Sequence, residues 1–207
     1  MKRLAILGAS GHGKVVADAA EAAGWQEIVF FDDAWPDLTE NGPWLVKGNT
    51  DTLMEALAEY DGVVVGIGNN AIRAGKQLEL SEAGATVVKI IHPAATVSPH
   101  VRVGIGSVVF AQAVVNACAT VGTGAIVNTG SVVEHDCVVG DFSHISPNAV
   151  LAGGVRLGTQ CWVGAGASVR QLLEIGKSAV VGMGAVVTKN ISAGSVVAGN
   201  PAKVLKS

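Results

Sequence analysis

Aromatic residues make up 4% of this 207-residue chain, too few for a core built around large rings. Charged residues reach 15%, and the formal net charge is −3. So sparse and slightly acidic a balance leaves no basic footprint for nucleic acid or for an anionic membrane surface. Mean hydropathy is nevertheless positive, at +0.44. A membrane span does not explain this, because the sequence lacks a run of eighteen uninterrupted apolar residues. Nor does the chain open on a basic stretch followed by an apolar one and a cleavage site, which predicts a cytoplasmic protein. Cysteines number three, an odd count that argues against a disulfide framework.

What the chain does have is a repeat. Every sixth residue from Val97 to Val187 is a branched aliphatic: Val97, Val103, Val109, Val115, Val121, Val127, Val133, Val139, Ile145, Leu151, Leu157, Val163, Val169, Ile175, Val181, Val187. The fourth residue after each of them is mostly small, as at Ala113, Ser131, Ala149 and Ala167. A period of six is a multiple of two, so each repeat returns its side chain to the same face of an extended strand. It fits a helical period poorly. Three such sides make a coil of about eighteen residues, with the aliphatics stacked in internal ladders. That core needs few aromatics and accounts for the positive hydropathy. Glycines directly after the aliphatic, as at Gly104, Gly122 and Gly140, are expected at tight corners, through positive φ or close backbone approach. Cys137 and Cys161 fall on the small position and read as free structural thiols.

The first ninety residues differ. Arg3 to Gly8 reads as a buried strand, Lys14 to Ala23 as a helix, and Glu27 to Phe31 as a second strand closed by Asp32-Asp33. Residues 34–47 read as loop plus one short strand. A helix follows over Thr50 to Tyr60, capped by Thr50 or Asp51, then a strand over Gly62 to Ile67, a helix over Asn70 to Ala83 and a strand over Thr86 to Ile91. Alternating strands and helices predict a small parallel sheet with helices on both faces. The loop Gly8-Ala9-Ser10-Gly11-His12-Gly13 runs G-x-x-G-x-G, not the dinucleotide order G-x-G-x-x-G. It reads either as a tight strand-to-helix turn or as a phosphate site at a helix N-terminus.

The hexad pattern resembles the left-handed parallel β-helix of the hexapeptide-repeat acyltransferases. The Gly8–Gly13 loop, Asp32-Asp33, the segment Gly66-Ile67-Gly68-Asn69-Asn70-Ala71-Ile72-Arg73 and the junction Ile91-His92-Pro93 resemble one subfamily across essentially the whole chain. It comprises bacterial sugar acetyltransferases, among them UDP-4-amino-sugar N-acetyltransferases of bacillosamine synthesis and sialic acid O-acetyltransferase relatives. The resemblance implies a Rossmann-like α/β domain over residues 1–91 that binds a nucleotide sugar. It implies a left-handed β-helix over 92–207 that binds acetyl-CoA and ends in a C-terminal cap. Carried across, Ser10, Gly11, His12, Asp32, Asp33, Gly68 and Asn69 line the UDP-sugar site. His135 is the general base and Asp136 its partner, at a position where a family member carries Glu. Asn128 lies near the acceptor, and His144, Ala165 and Met183 contact the coenzyme. Active sites between subunits of a homotrimer are implied as well.

Read as residues, His135 lies two positions after an inward valine, near a corner, with Ala117 and Gly153 one coil to either side. Acetyl transfer from a thioester to an amine needs a base near neutrality, and histidine beside a carboxylate supplies one. His144, half a coil on, faces another way. Only two histidines lie within the regular coils, so a three-histidine metal site is not expected. The outward positions are too irregular for an ice-binding threonine array. The expected activity is acetyl-CoA-dependent N-acetylation of the C4 amine of a UDP-linked amino sugar, giving a UDP-N,N'-diacetylbacillosamine-type product. Sugar or sialic acid O-acetylation is the alternative.

Overall fold

In the computed structural model, which describes residues 2–206, the first unit (Met1–His92) is built around strand β1, Arg3–Leu7. It pairs in parallel with β2 (Glu27–Phe31), and the sheet extends through β3 (Glu40–Asn41), β4 (Trp44–Gly48) and β5 (Gly62–Val65) in the order β3-β4-β2-β1-β5. Helices α1 (Gly11–Ala22), α2 (Thr50–Glu55) and α3 (Asn70–Glu82) provide the cover. Both faces of the central strands are apolar, as a buried parallel sheet requires. One face carries Ala5, Leu7, Val29, Phe31, Val63 and Val65, which cluster with Leu53 of α2 and Leu80 of α3. On the other, Gly13 of α1 lies against Phe30, where a Cβ would stand 3.0 Å from the ring.

Four expectations are corrected here. Residues 34–47 hold two strands, because β3 and β4 form a hairpin and β4 then joins β2 in parallel. The helix expected over Thr50 to Tyr60 stops at Glu55 and continues only as a single 3-10 turn, Leu57–Glu59. Its N-cap is Asn49, whose side chain accepts from the Thr52 N–H at 2.9 Å. The strand expected over Thr86 to Ile91 shrinks to a bridge between Val87 and Val63 and a short strand at Ile90–Ile91. Val63 exchanges its N–H and carbonyl with Thr86 and Val88, and the pairing ends there.

The second unit (Pro93–Ser207) winds sixteen two-residue strands from Thr96–Val97 to Val186–Val187. Strands eighteen residues apart pair in parallel, so that Val115 stacks on Val133 and Val133 on Leu151. This is a left-handed parallel β-helix. The aliphatics from Val109 to Val187 are at most 2% exposed, and the small residues between them are buried as well. Ser107 and Ser143 occupy that inner position by bonding main chain, each hydroxyl donating to a glycine carbonyl, at 2.6 and 2.7 Å. Cys137 and Cys161 are buried free thiols that donate to carbonyls of the next coil. The end of the chain folds into a cap, with Val196–Ala198 extending one sheet and Lys203–Lys206 closing its edge antiparallel.

The corner geometry departs from expectation. From Val103 to Val181 the left-handed residue is the third after the aliphatic, not the glycine directly after it, and it is often not glycine: Gln112, Cys118, Asp136, Phe142, Asn148, Gln160, Leu172 and Ser178 all have φ between 55° and 63°. The glycine after the aliphatic serves close approach. A Cβ on Gly140 would stand 2.6 Å from both the Gly158 carbonyl oxygen and the Thr159 nitrogen.

Candidate functional site

Three strips carry the residues singled out by sequence. The first is a corner of the solenoid. His135 follows strand Val132–Val133, and Asp136 takes the left-handed position with φ 59°. That turn swings the Asp136 carboxylate back onto its neighbour, and Oδ2 lies 2.8 Å from His135 Nδ1. A carboxylate only accepts, so Nδ1 carries the proton and Nε2 is left with a free lone pair. The shorter arm of Asp reaches because the corner supplies the turn. The hydrogen bond to Asp136 raises the His135 pKa above its ordinary 6.5, with the charges of Asp136 and Glu134 adding to the effect. Glu134 is itself held by Asn116, whose Nδ2 donates at 2.9 Å. The pair opens on a pocket of about 250 Å³ lined also by Gly153, Gly154, Gln171 and Leu172.

The second strip lies on another sheet of the coil. His144 is 7% exposed and stacks on Trp162, ring centroids 4.9 Å apart. Asn128, expected beside the acceptor, meets His144, its Nδ2 lying 3.0 Å from Nε2. The amide orientation is fixed, because Asn128 Oδ1 accepts from the Thr129 N–H at 2.8 Å. Nδ2 therefore donates, Nε2 of His144 accepts, and the ring proton is on Nδ1. Ala165 and Met183 follow on the adjoining corner, stacked through a Gly184 N–H to Ala165 carbonyl bond of 2.9 Å, with Met183 exposed. His135 and Asp136 do not converge with these four within one chain. Trp162, eighteen residues after His144, was not legible as a site residue.

The third strip is in the first unit. A pocket of about 150 Å³ is lined by Asp32, Asp33, Gly8, Thr50, Ile72 and Lys76, among others. Asp32 holds the glycine loop, accepting from the Ala9 and Ala34 N–H groups at 2.7 and 2.9 Å. Hydrogen bonds from Thr50, first its side chain and then its N–H, keep the Asp33 carboxyl below the ordinary carboxylate range, and Lys76 lies 3.8 Å away. Ser10 caps α1 by position without a side-chain capping bond, and Gly11 opens the helix with nothing in the space a Cβ would take. His12 is neutral, since burial pushes its pKa down to about 4, with Arg73 contributing. Asn69 caps α3, accepting from the Ala71 and Ile72 N–H groups. Gly68 and Ile67 are clamped by buried Arg73, whose guanidinium donates to both carbonyls at 3.0 Å. Arg73 ended a recognised segment, but its buried clamp could not be read from sequence. Among the described residues, no cluster of three or more His, Cys, Asp or Glu could hold a metal ion.

A solenoid of hexads with a histidine–carboxylate pair at one corner is what the resemblance to hexapeptide-repeat acyltransferases implies. Residues 3–78 match the model of the PglD N-terminal domain. Over 99% of both chains, the structure resembles the acetyltransferase domain of PglB from Neisseria gonorrhoeae in complex with acetyl coenzyme A, with 44% identity and a TM-score of 0.94. It resembles a mutant perosamine N-acetyltransferase from Caulobacter crescentus, in complex with CoA and GDP-perosamine, over 100% of this chain and 98% of that one (34% identity, TM-score 0.93). WeeI from Acinetobacter baumannii matches over 99% and 100%, with 29% identity and a TM-score of 0.90. A curated relative, 2,3,4,5-tetrahydropyridine-2,6-dicarboxylate N-acetyltransferase of Staphylococcus aureus, is 46% identical over 44 residues, which span only 18% of its length. The chain belongs to the hexapeptide-repeat sugar N-acetyltransferases.

Proposed function

We propose that the chain transfers an acetyl group from acetyl-CoA to the C4 amine of a UDP-linked amino sugar. The observation that carries this reading is the His135–Asp136 pair, with Nδ1 tied at 2.8 Å and both residues lining a pocket. The amine nitrogen attacks the thioester carbonyl and forms the C–N bond. Nε2 of His135 takes the amine proton, the C–S bond breaks, and the proton is returned to the coenzyme thiolate. Likeness to structures with bound acetyl coenzyme A and with bound GDP-perosamine supports both substrate classes. His144, Ala165 and Met183, with Trp162, are the proposed coenzyme strip. Ser10, Gly11, His12, Asp32, Asp33, Gly68 and Asn69 are the proposed nucleotide-sugar residues. There the two carboxylates suit the N–H and O–H donors of uracil and ribose.

The active unit in this reading is a homotrimer, in which the His135 corner of one chain faces the coenzyme strip of the next. Two features support it: base and coenzyme strip lie apart within one chain, and a row of partly exposed valines (Val114, Val132, Val150, Val186) runs along one outer face. No helix among the described residues is long and apolar enough to cross a membrane. Incubating the protein with acetyl-CoA and a panel of UDP- and GDP-linked amino and hydroxy sugars tests the reading by product mass. Acetylation of a UDP-4-amino sugar supports it. Transfer to hydroxyls alone would make the enzyme an O-acetyltransferase.

A further inference from the structure

We propose that Gly153 is a positioning residue for His135, and that the missing side chain at 153 sets where Nε2 of the imidazole sits. The two residues are one coil apart. The Gly154 N–H donates to the His135 carbonyl at 2.9 Å, and the Gly153 carbonyl accepts from the Leu172 N–H at 3.0 Å, so main-chain bonds fix this corner from both neighbouring coils. A Cβ at 153 would stand 2.6 Å from His135 Nε2 and 2.7 Å from Cε1. The ring therefore rests on the bare backbone of Gly153.

Nothing else at the corner asks for glycine. The left-handed position is taken by Gly154, at φ 68°, and Gly153 itself lies outside that region. The same corner position in the other coils holds Pro99, Ala117, Gln171 and Lys189, all of which carry a Cβ. The imidazole is the far end of a side chain that is 64% exposed, so it swings away from an added methyl at little cost to the fold. Swinging costs the 2.8 Å bond to Asp136 and displaces Nε2. Alanine keeps every main-chain donor and acceptor, so its effect is confined to the placement of the ring.

The inference rests on the reading of His135 as the general base. Gly153→Ala should fold with a near-unchanged melting temperature, lower kcat by about 10- to 100-fold and leave the acetyl-CoA KM nearly unchanged. Asp136 and Glu134 face the ring and hold its pKa up. Loss of the Asp136 bond should move the His135 titration, followed by NMR, to lower pH in the variant. The double variant His135→Ala/Gly153→Ala should lose no more activity than His135→Ala alone. A Gly153→Ala protein with an unmoved His135 titration, or one that fails to fold, would overturn the proposal. A shifted titration with His135→Ala still active would uphold the placement and sink the catalytic reading instead.

Discussion

Asp136 accepts a hydrogen bond from Nδ1 of its own sequence neighbour His135 at 2.8 Å, and it does so from a left-handed backbone. Adjacent residues in a strand point to opposite faces. The corner is what allows this pairing, and the fold supplies the orienting carboxylate without help from another coil.

Asp136→Asn should keep the side-chain shape and remove the charge that raises the His135 pKa. His135 must be neutral to accept a proton, so activity rises with pH through its pKa. With that pKa lowered, the acid limb of kcat/KM should move to lower pH. Turnover should fall less than in His135→Ala, because a base of poorer geometry remains. An unmoved acid limb would shift the role to Glu134 or to solvent.

Asn128→Ala and His144→Ala should behave alike. Asn128 meets His144 at 3.0 Å, so both changes disturb the same ring. Each should chiefly raise the acetyl-CoA KM, with the sugar KM nearly unchanged in two-substrate kinetics. A rise in the sugar KM on losing Asn128 would return that residue to the acceptor site.

The hexad repeat was legible because six is a multiple of the strand period, so every aliphatic from Val109 to Val187 returned inward. The corner was not, because eight non-glycine residues of unlike chemistry, from Gln112 to Ser178, take the left-handed position and no composition marks it. In the first unit Gly42-Pro43 falls in the stretch read as loop plus one short strand, yet it is the turn between β3 and β4. His135 and Asp136 stood out by residue type. Gly153 was legible as a small neighbour one coil from His135, but the contact of the ring with its backbone was not.

Two glycines should separate close approach from backbone strain. Gly140→Ala drives a methyl into the main chain of the next coil and should cost about 3 kcal/mol. Gly166, at φ +66° with open space around it, should cost about 1 kcal/mol as alanine. Thermal or denaturant unfolding compares them. Equal losses would contradict the packing account.

Sedimentation at micromolar concentration should show a trimer. A monomer that still transfers acetyl would contradict a site shared between chains, since the His135 corner and the His144 strip lie on different sides of one solenoid.

Steady-state kinetics of His135→Ala on the identified sugar test the central claim most directly. The account predicts a kcat lower by roughly 100-fold or more with the acetyl-CoA KM nearly unchanged, because the base acts in the transition state and contributes little to coenzyme binding. A near-normal kcat would contradict it, and catalysis would then rest on holding an already deprotonated amine against the thioester.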